Sequence, residues 1–479
     1  MLSKHTFSYF ISHGVPALIS FLSIAIFSRL LTPNEYGIYA LVFAIASLVN
    51  AFLFEWIKLS LLRYYQYYKK EREFLETIKI VYLAIVVITA VIGFIVIGFQ
   101  VTPRHIAIYV FFTLLLSWTQ SWNSLTLALV RAKLSPIEYG KLAFSRTTLG
   151  FLFGALLIYI GLKEKGLLLG ILIGFWITLL FPTFTYWKGL SLSFFNRDIL
   201  RKMFKYGFPL TITLLLGIVI HNSDRMIISY LLGTTSTGYY SVTYDLSEQT
   251  IFTLMMVVNL AAFPIVMKTL DEKGVKAAYE RVKDNTTMLS LISIPAVAGF
   301  MMLAPNIVEI VLGEEYRSIA LTLIPFIAVG AFLKGFKLYC LDIMFHIHQN
   351  TAIQIIPSLL AAIANVILTF LFIPLFGLQG AAMATVLSYL LAVVLSWVII
   401  SRRYSFPFPT KNVFLILVAT LGMSLCLWPL KDKIGPGMLA MQIGIGLLSY
   451  LFLVLILNIA NSRKRLRKLL NRKILKGEE

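Results

Sequence analysis

Residues 206–263 read YGFPLTITLLLGIVIHNSDRMIISYLLGTTSTGYYSVTYDLSEQTIFTLMMVVNLAAF. Two apolar windows, 206–232 and 238–263, each exceed the ~20 residues that one helical bilayer crossing needs. Only the five residues 233–237 separate them. A chain that sets such windows back to back, with a minimal polar connection, reads as a helical hairpin threaded through a membrane. Working outward, windows of the same kind recur near 7–31, 37–62, 77–99, 106–130, 142–161, 167–187, 286–312, 318–345, 353–376, 380–400, 412–430 and 437–460. Together they predict fourteen spans. The first window is read as a span rather than a cleaved leader, because no small-residue cleavage site follows it.

Composition agrees. Of 479 residues, 59% are hydrophobic and only 13% charged, about half the charge of an ordinary soluble domain. Mean hydropathy is +0.84. That excludes disorder. Two cysteines, Cys340 and Cys426, exclude a disulfide scaffold. The predicted fold class is therefore an all-α polytopic membrane protein.

The connections alternate between very short ones, such as 32–36, 233–237 and 377–379, and longer basic ones, such as 63–76, 188–205, 264–285 and 401–411. Thirty of the 42 Lys and Arg residues fall on the side of the N-terminus and long loops, and seven on the short-loop side. The positive-inside bias then puts both termini in the cytoplasm and makes the span number even. No loop is long enough to form a catalytic domain. Segment 188–205 (KGLSLSFFNRDILRKMFK) reads as an amphipathic helix on the cytoplasmic leaflet, and the basic tail 461–479 is similar. Both point to anionic lipid as a partner. Nucleic acid is excluded, because no accompanying recognition fold or aromatic interleaving is present.

The halves repeat. RLLTPNEYGIYALVF (29–43) and YLLGTTSTGYYSVTY (230–244) align Leu30, Leu31, Gly37 and Tyr39 with Leu231, Leu232, Gly238 and Tyr240 at an offset of 201. Gly14-Val15-Pro16 echoes Gly207-Phe208-Pro209, and 160–170 echoes 376–384. The expected organisation is an N-lobe over 1–187, the linker 188–205, a C-lobe over 206–400, two further spans within 411–460 and the tail. Two parallel six-helix repeats would enclose a central cavity and permit alternating access.

Four pieces carry a family resemblance: SRLLTPNEYGIYA (28–40), NSDRMIISYLLGTTSTGYYS (222–241), VLGEEYRS (311–318) and FGLQGAAMAT (376–385). The chain resembles the polysaccharide or O-antigen flippases of the multidrug/oligosaccharidyl-lipid/polysaccharide exporter superfamily. The resemblance implies transport of an undecaprenyl-pyrophosphate-linked glycan from the inner to the outer leaflet of a bacterial plasma membrane. It also implies work beside a polysaccharide polymerase. A drug/cation antiporter of the same superfamily is the alternative. Its known members use an acid in the first lobe, whereas here Glu55 lies in span two and span one has none before its end. A glycan polymerase is disfavoured by the short outer loops.

Ionisable groups inside spans cost ~2.5–3.5 kcal/mol each on insertion scales, so they are the functional pointers. Asp224 and Arg225 lie in span seven, with His221 one turn before, and Asp245 and Glu248 lie in span eight. Counted from the short loop, their depths match, and the reading pairs Arg225 with Asp245 or Glu248. Lys334 and Lys337 lie near mid-membrane in span ten, with no acid within four residues of Lys334. They either attract a pyrophosphate or sit in compensated pairs. Glu55 and Lys58 form an intrahelical pair. Arg29 and Arg146 read as interfacial, with cavity lining as the other reading. Gln120, Asn123, Asn222, Asn259 and Asn365 are candidate amides for a glycan, and Trp118 and Trp122 are candidates for stacking on sugar rings or for packing. Arg and Lys suit phosphate oxygens. Asp224, Asp245, Glu248 and Glu55 are the coupling candidates, with Na⁺, H⁺ and the membrane potential left open. No catalytic residue, cofactor or metal set is read: Walker A and HExxH are absent, and His346 and His348, two apart, face different ways on a helix.

Overall fold

The computed structural model describes residues 2–68, 72–99 and 104–464. Among these the chain is helical throughout, with no strand. Its helices are α1 (Leu2–Leu30), α2 (Pro33–Tyr64), α3 (Arg72–Gly98), α4 (Arg104–Ala132), α5 (Pro136–Leu157), α6 (Lys163–Tyr186), α7 (Arg197–Met302), α8 (Ala304–Val311), α9 (Glu314–Phe336), α10 (Asp342–Ile347), α11 (Ile355–Arg403), α12 (Thr410–Leu427) and α13 (Pro436–Ile456). Among the described residues eight helical stretches are long and apolar enough to cross a membrane.

Some elements are too long for one crossing. The 106 residues of α7 would stretch ~160 Å if straight. Gly233 and Gly274, at φ 84° and 77°, break it. Such φ values are open to glycine and closed to a helix. Tyr240 Oη donates to Asp224 Oδ2 at 2.9 Å, which is possible only if the chain folds back at Gly233. Gly377, at φ 58°, divides α11 in the same way. Each of the fourteen sequence windows falls on helix. The basic connection expected over 264–285 is itself helical on both sides of Gly274. Lys, Glu and Ala within it are good helix formers, and a hydropathy window does not see them.

Sequence signals explain the starts. Thr32 caps α2: its Oγ1 accepts from Glu35 N, while Glu35 Oε2 accepts from Thr32 N at 3.0 Å. Pro33 follows at the first helical position. Proline also opens α5 and α13.

The chain divides into two compact units, 1–242 with 361–384 and 243–360 with 385–479. The first packs around Phe54, Ile57, Phe74, Ile78, Leu125 and Leu129. Within it α5 and α6 meet along glycines. A Cβ on Gly170 would lie 2.2 Å from Gly154 N, and one on Gly174 2.5 Å from Gly150 N. Membrane helices, lacking a hydrophobic drive between them, associate through such close backbone approach. The two copies of the repeat motif also touch. A Cβ on Gly37 would fall 1.8 Å from Thr234 O, and one on Gly238 1.8 Å from Pro33 O. Residues 33 and 234, like 37 and 238, differ by 201, so the contact is locally two-fold. Asn34 and Thr234 share a hydrogen bond across it.

Segment 188–205 is not one surface helix. Residues 197–205 begin α7, and 188–196 form a strap with a single 3₁₀ turn at Leu192–Phe194. The start of α3 pins the strap. Lys79 Nζ donates to Lys188 O at 3.1 Å and contacts Gly189 O, Glu76 Oε2 accepts from Ser191 N at 3.1 Å, and Thr77 Oγ1 accepts from Asn196 N at 3.1 Å. Asn196 Oδ1 in turn accepts from Asp198 N and Ile199 N, capping α7. The tail beyond Lys464 lies outside the described residues.

The second unit holds two clusters. One gathers Val266, Ala278, Val282, Met344 and Phe345. The other gathers Ile416, Met423 and Tyr450 against the end of α7.

Candidate functional site

Of the charges in the apolar spans, Asp224, Arg225, Lys337 and Asp342 are buried, and Lys58, Lys334 and Lys337 each have a carboxylate partner. In the first unit Asp224 is fully buried. It accepts from Tyr240 Oη at 2.9 Å and from Thr369 Oγ1 at 3.2 Å. Beside it Ser223 Oγ donates to Asn365 Oδ1 at 3.1 Å. Arg225 is buried. Asn222 Nδ2 donates to Ile218 O on its own helix at 3.0 Å. Lys58 and Glu55 form the intrahelical ion pair that their spacing predicts. Gln120 and Asn123 are buried on α4. Arg146 lies over the Phe175 ring, 5.5 Å from its centroid, and Arg29 is exposed at the end of α1.

In the second unit Lys334 and Glu248 form a direct ion pair. Lys334 Nζ also sits 4.4 Å from the centroid of Phe252, a ring face that attracts a cation. Phe252 stacks on Tyr339 with centroids 5.5 Å apart. Lys337 donates to both oxygens of Asp342, at 3.1 and 2.8 Å, and Gln354 Nε2 donates to the same carboxylate at 2.9 Å. Lys337–Leu341 is a π-helical turn. In an α-helix, residues five apart do not face each other. In a π turn they do, and Asp342 N donates to Lys337 O.

Glu248, one of the two acids offered to Arg225, forms an ion pair with Lys334. Of the two readings given to the lysines, the pairs Lys334–Glu248 and Lys337–Asp342 match the compensated one. The sequence reading missed Asp342, Gln354, Phe252 and Tyr240 as partners. Asp342 was visible five residues on from Lys337, but the π turn that brings the two together is not readable from spacing. Glu248 and Lys334 differ in backbone depth, and the long lysine stem closes that gap.

Among the described residues no group of three or more metal-ligating side chains is present. His348 stacks flat on Tyr404, centroids 3.8 Å apart, and its Nε2 hydrogen-bonds Tyr279 Oη at 2.8 Å. Burial holds its pKa below the ordinary histidine value.

The described residues thus hold ion pairs within long apolar helices. Comparison with known proteins agrees. The model of a family described as polysaccharide biosynthesis protein matches residues 26–321. The chain is 23% identical over 458 residues to the probable low-salt glycan biosynthesis flippase Agl15 of Haloferax volcanii, covering 93% of each chain. It is 24% identical over 242 residues to an uncharacterized membrane protein of Methanocaldococcus jannaschii, spanning 50% of this chain and about half, 47%, of that one. Among solved structures it resembles the lipid II flippase MurJ in an inward closed conformation, with TM-score 0.78, 14% identity, and coverage of 94% of this chain and 98% of that one. An inward-facing multidrug resistance MATE transporter of the MOP superfamily gives TM-score 0.61 at 15% identity, covering 82% of this chain and 98% of that one. Those likenesses establish the fold.

Proposed function

We propose, from the premise that this chain belongs to the polysaccharide biosynthesis protein family, that it flips a polyprenyl-pyrophosphate-linked oligosaccharide across the plasma membrane. Flippase or transporter chemistry of the MOP superfamily follows from the relatives. The finer reading is an undecaprenyl-linked repeat unit carried from the cytoplasmic to the outer leaflet by alternating access, with both termini cytoplasmic and fourteen crossings. The observation that carries it is the mid-membrane pair Lys334–Glu248, in a chain whose relative named as a glycan flippase covers 93% of its length.

A pyrophosphate cannot cross bare hydrocarbon. On this reading its oxygens take Lys334 from Glu248, and the ammonium exchanges one anionic partner for another at small net cost. The freed Glu248 carboxylate then takes up H⁺ or Na⁺, which couples the cycle to an ion gradient. Arg225, Arg146, Lys337, Arg29 and Lys58 supply further positive charge, and Gln120 and Asn123 supply amides for sugar hydroxyls. Outward movement of negative charge is also favoured by an inside-negative potential, at ~2.3 kcal/mol per charge per 100 mV.

The test is deletion of the gene in its host, followed by leaflet-resolved analysis of lipid-linked glycans. Repeat units should accumulate on the cytoplasmic leaflet, and the wild-type chain should clear them where Lys334→Glu does not. Normal glycan export in the deletion strain, or sodium- or proton-dependent efflux of a cationic dye by the purified chain, would end this reading.

A further inference from the structure

A cavity of about 580 Å³ lies in the first unit between α3, α4 and α6, with Lys79 the one charged residue on its lining. Trp118, Trp122, Trp176 and Trp187 line it, and Gly189 and Leu190 of the strap close its basic-loop end beside Lys79. Three of the four indoles are already satisfied. Trp118 Nε1 donates to Thr89 Oγ1 at 2.9 Å, Trp122 Nε1 to Thr183 Oγ1 at 2.9 Å and Trp187 Nε1 to Thr126 Oγ1 at 3.2 Å. Their donors point into protein, so the wall offers ring faces and almost no hydrogen bonds. A glycan, which needs polar partners, is a poor occupant.

The open side is apolar. Trp176, Leu180 and Phe184 line it and are exposed, on a flank of α6 that a membrane protein turns to lipid. Its depth is informative. Along α6 the lining reaches Trp176, ten residues from the helix end at Tyr186, a rise of ~15 Å, and along the longer α4 it reaches Leu115, seventeen residues from Ala132, a rise of ~26 Å. The cavity therefore runs from the basic-loop surface to about the bilayer midplane, the span of one ~15 Å half of the hydrocarbon core. Basic groups stand at this end. Lys79, on the lining, pairs with the buried Glu76 at 2.8 Å. Arg72, 60% exposed, shares that carboxylate at 3.6 Å, and Lys188, next to the lining residue Gly189, is exposed.

We infer that this cavity is a lipid site. It takes one acyl chain of an anionic phospholipid from the leaflet at the basic-loop end, with the lipid phosphate at Arg72 and Lys188. The bound chain packs on Trp122 and Trp187 and holds the strap, the connection between the two repeats, against α3. A polyisoprenoid would overrun a slot one leaflet deep. The inference stands independently of the transported substrate.

Bromine atoms on an acyl chain quench indole fluorescence on contact. The full chain is placed in nanodiscs that contain, at equal mole fraction, either dibrominated phosphatidylglycerol or dibrominated phosphatidylcholine. The anionic lipid should quench at least twofold more. Arg72→Gln with Lys188→Gln should abolish that preference and leave the circular dichroism unchanged. Leu83→Phe with Leu180→Phe narrows the mouth from its lipid-facing side and should reduce quenching by both lipids. Native mass spectrometry should find one phosphatidylglycerol retained by the wild type and lost from the double-Gln variant. Equal quenching by both headgroups, or quenching that the Phe variant does not lower, shows ordinary annular lipid and overturns the proposal. Displacement of the retained lipid by polyprenyl phosphate but not by excess phosphatidylglycerol overturns it as well, since the site is then an isoprenoid slot.

Discussion

An ammonium held deep in hydrocarbon needs a counter-charge, and Lys334 and Lys337 meet that need in different ways. Lys334 reaches across to Glu248 on another helix and onto the Phe252 ring. Lys337 uses Asp342 on its own chain segment through the π turn. Removing one member of a buried pair strands the other, at about 3–5 kcal/mol, whereas replacing both by apolar groups is often neutral. Glu248→Gln is therefore expected to lower the thermal midpoint in detergent, and Glu248→Leu with Lys334→Met to restore most of it. The double variant should fold and yet fail to clear lipid-linked glycan. His348 carries a separate expectation. Its folded-state pKa lies below the ordinary value of ~6.5, so the unfolded chain binds the proton more readily. The buried neutral imidazole then contributes fully above that value, and its contribution is lost as pH falls through the lower folded-state pKa. Wild-type thermal stability should drop between pH 7.5 and 5.5 more than that of His348→Gln. Residue counts put both lysines inside an apolar window but could not give their partners, because counting along a helix ignores rotation and assumes an α turn where the chain makes a π turn.

At the scale of elements, glycines act in two distinct ways that a sequence writes with the same letter. Gly161 has φ 92° with nothing near its missing side chain, whereas Gly170 abuts the Gly154 backbone. Gly161→Ala is expected to cost about 1 kcal/mol through backbone strain alone. Gly170→Leu forces α5 and α6 apart and should cost about 1–3 kcal/mol or more, read as a larger fall in thermal midpoint. Gly37→Val at the two-fold contact should likewise be destabilising, while Gly98→Val, with open space around it, should not be. The repeat in 29–43 and 230–244 was legible from the 201-residue offset. That its two copies meet at Gly37 and Gly238 was not, since likeness between segments says nothing of their adjacency. The strap was misread because its aromatic and basic residues fit a lipid-surface helix as well as they fit contacts to Lys79, Glu76 and Arg72.

For the molecule as a whole, composition sufficed for class. So little charge in 479 residues leaves only a membrane interior as solvent, and the spacing of the apolar windows placed the helices. The units of contact, 1–242 with 361–384 and the remainder, cut α7 and α11, and no hydropathy window marks such cuts. Orientation can be checked directly. With Cys340 and Cys426 replaced by Ala, Ser193→Cys should react with a membrane-impermeant maleimide only after the inner face is exposed, and Asp432→Cys should react in intact cells.

The turns at Gly161, Gly233 and Gly377 bear on how the chain is made. Each joins two long apolar helices through barely more than a single glycine of positive φ. So short a bend leaves few orphaned backbone amides to drag through oil. During synthesis the paired segments can leave the translocation machinery together as one folded hairpin, and a lengthened polar bend at any of the three should slow membrane integration before it affects transport.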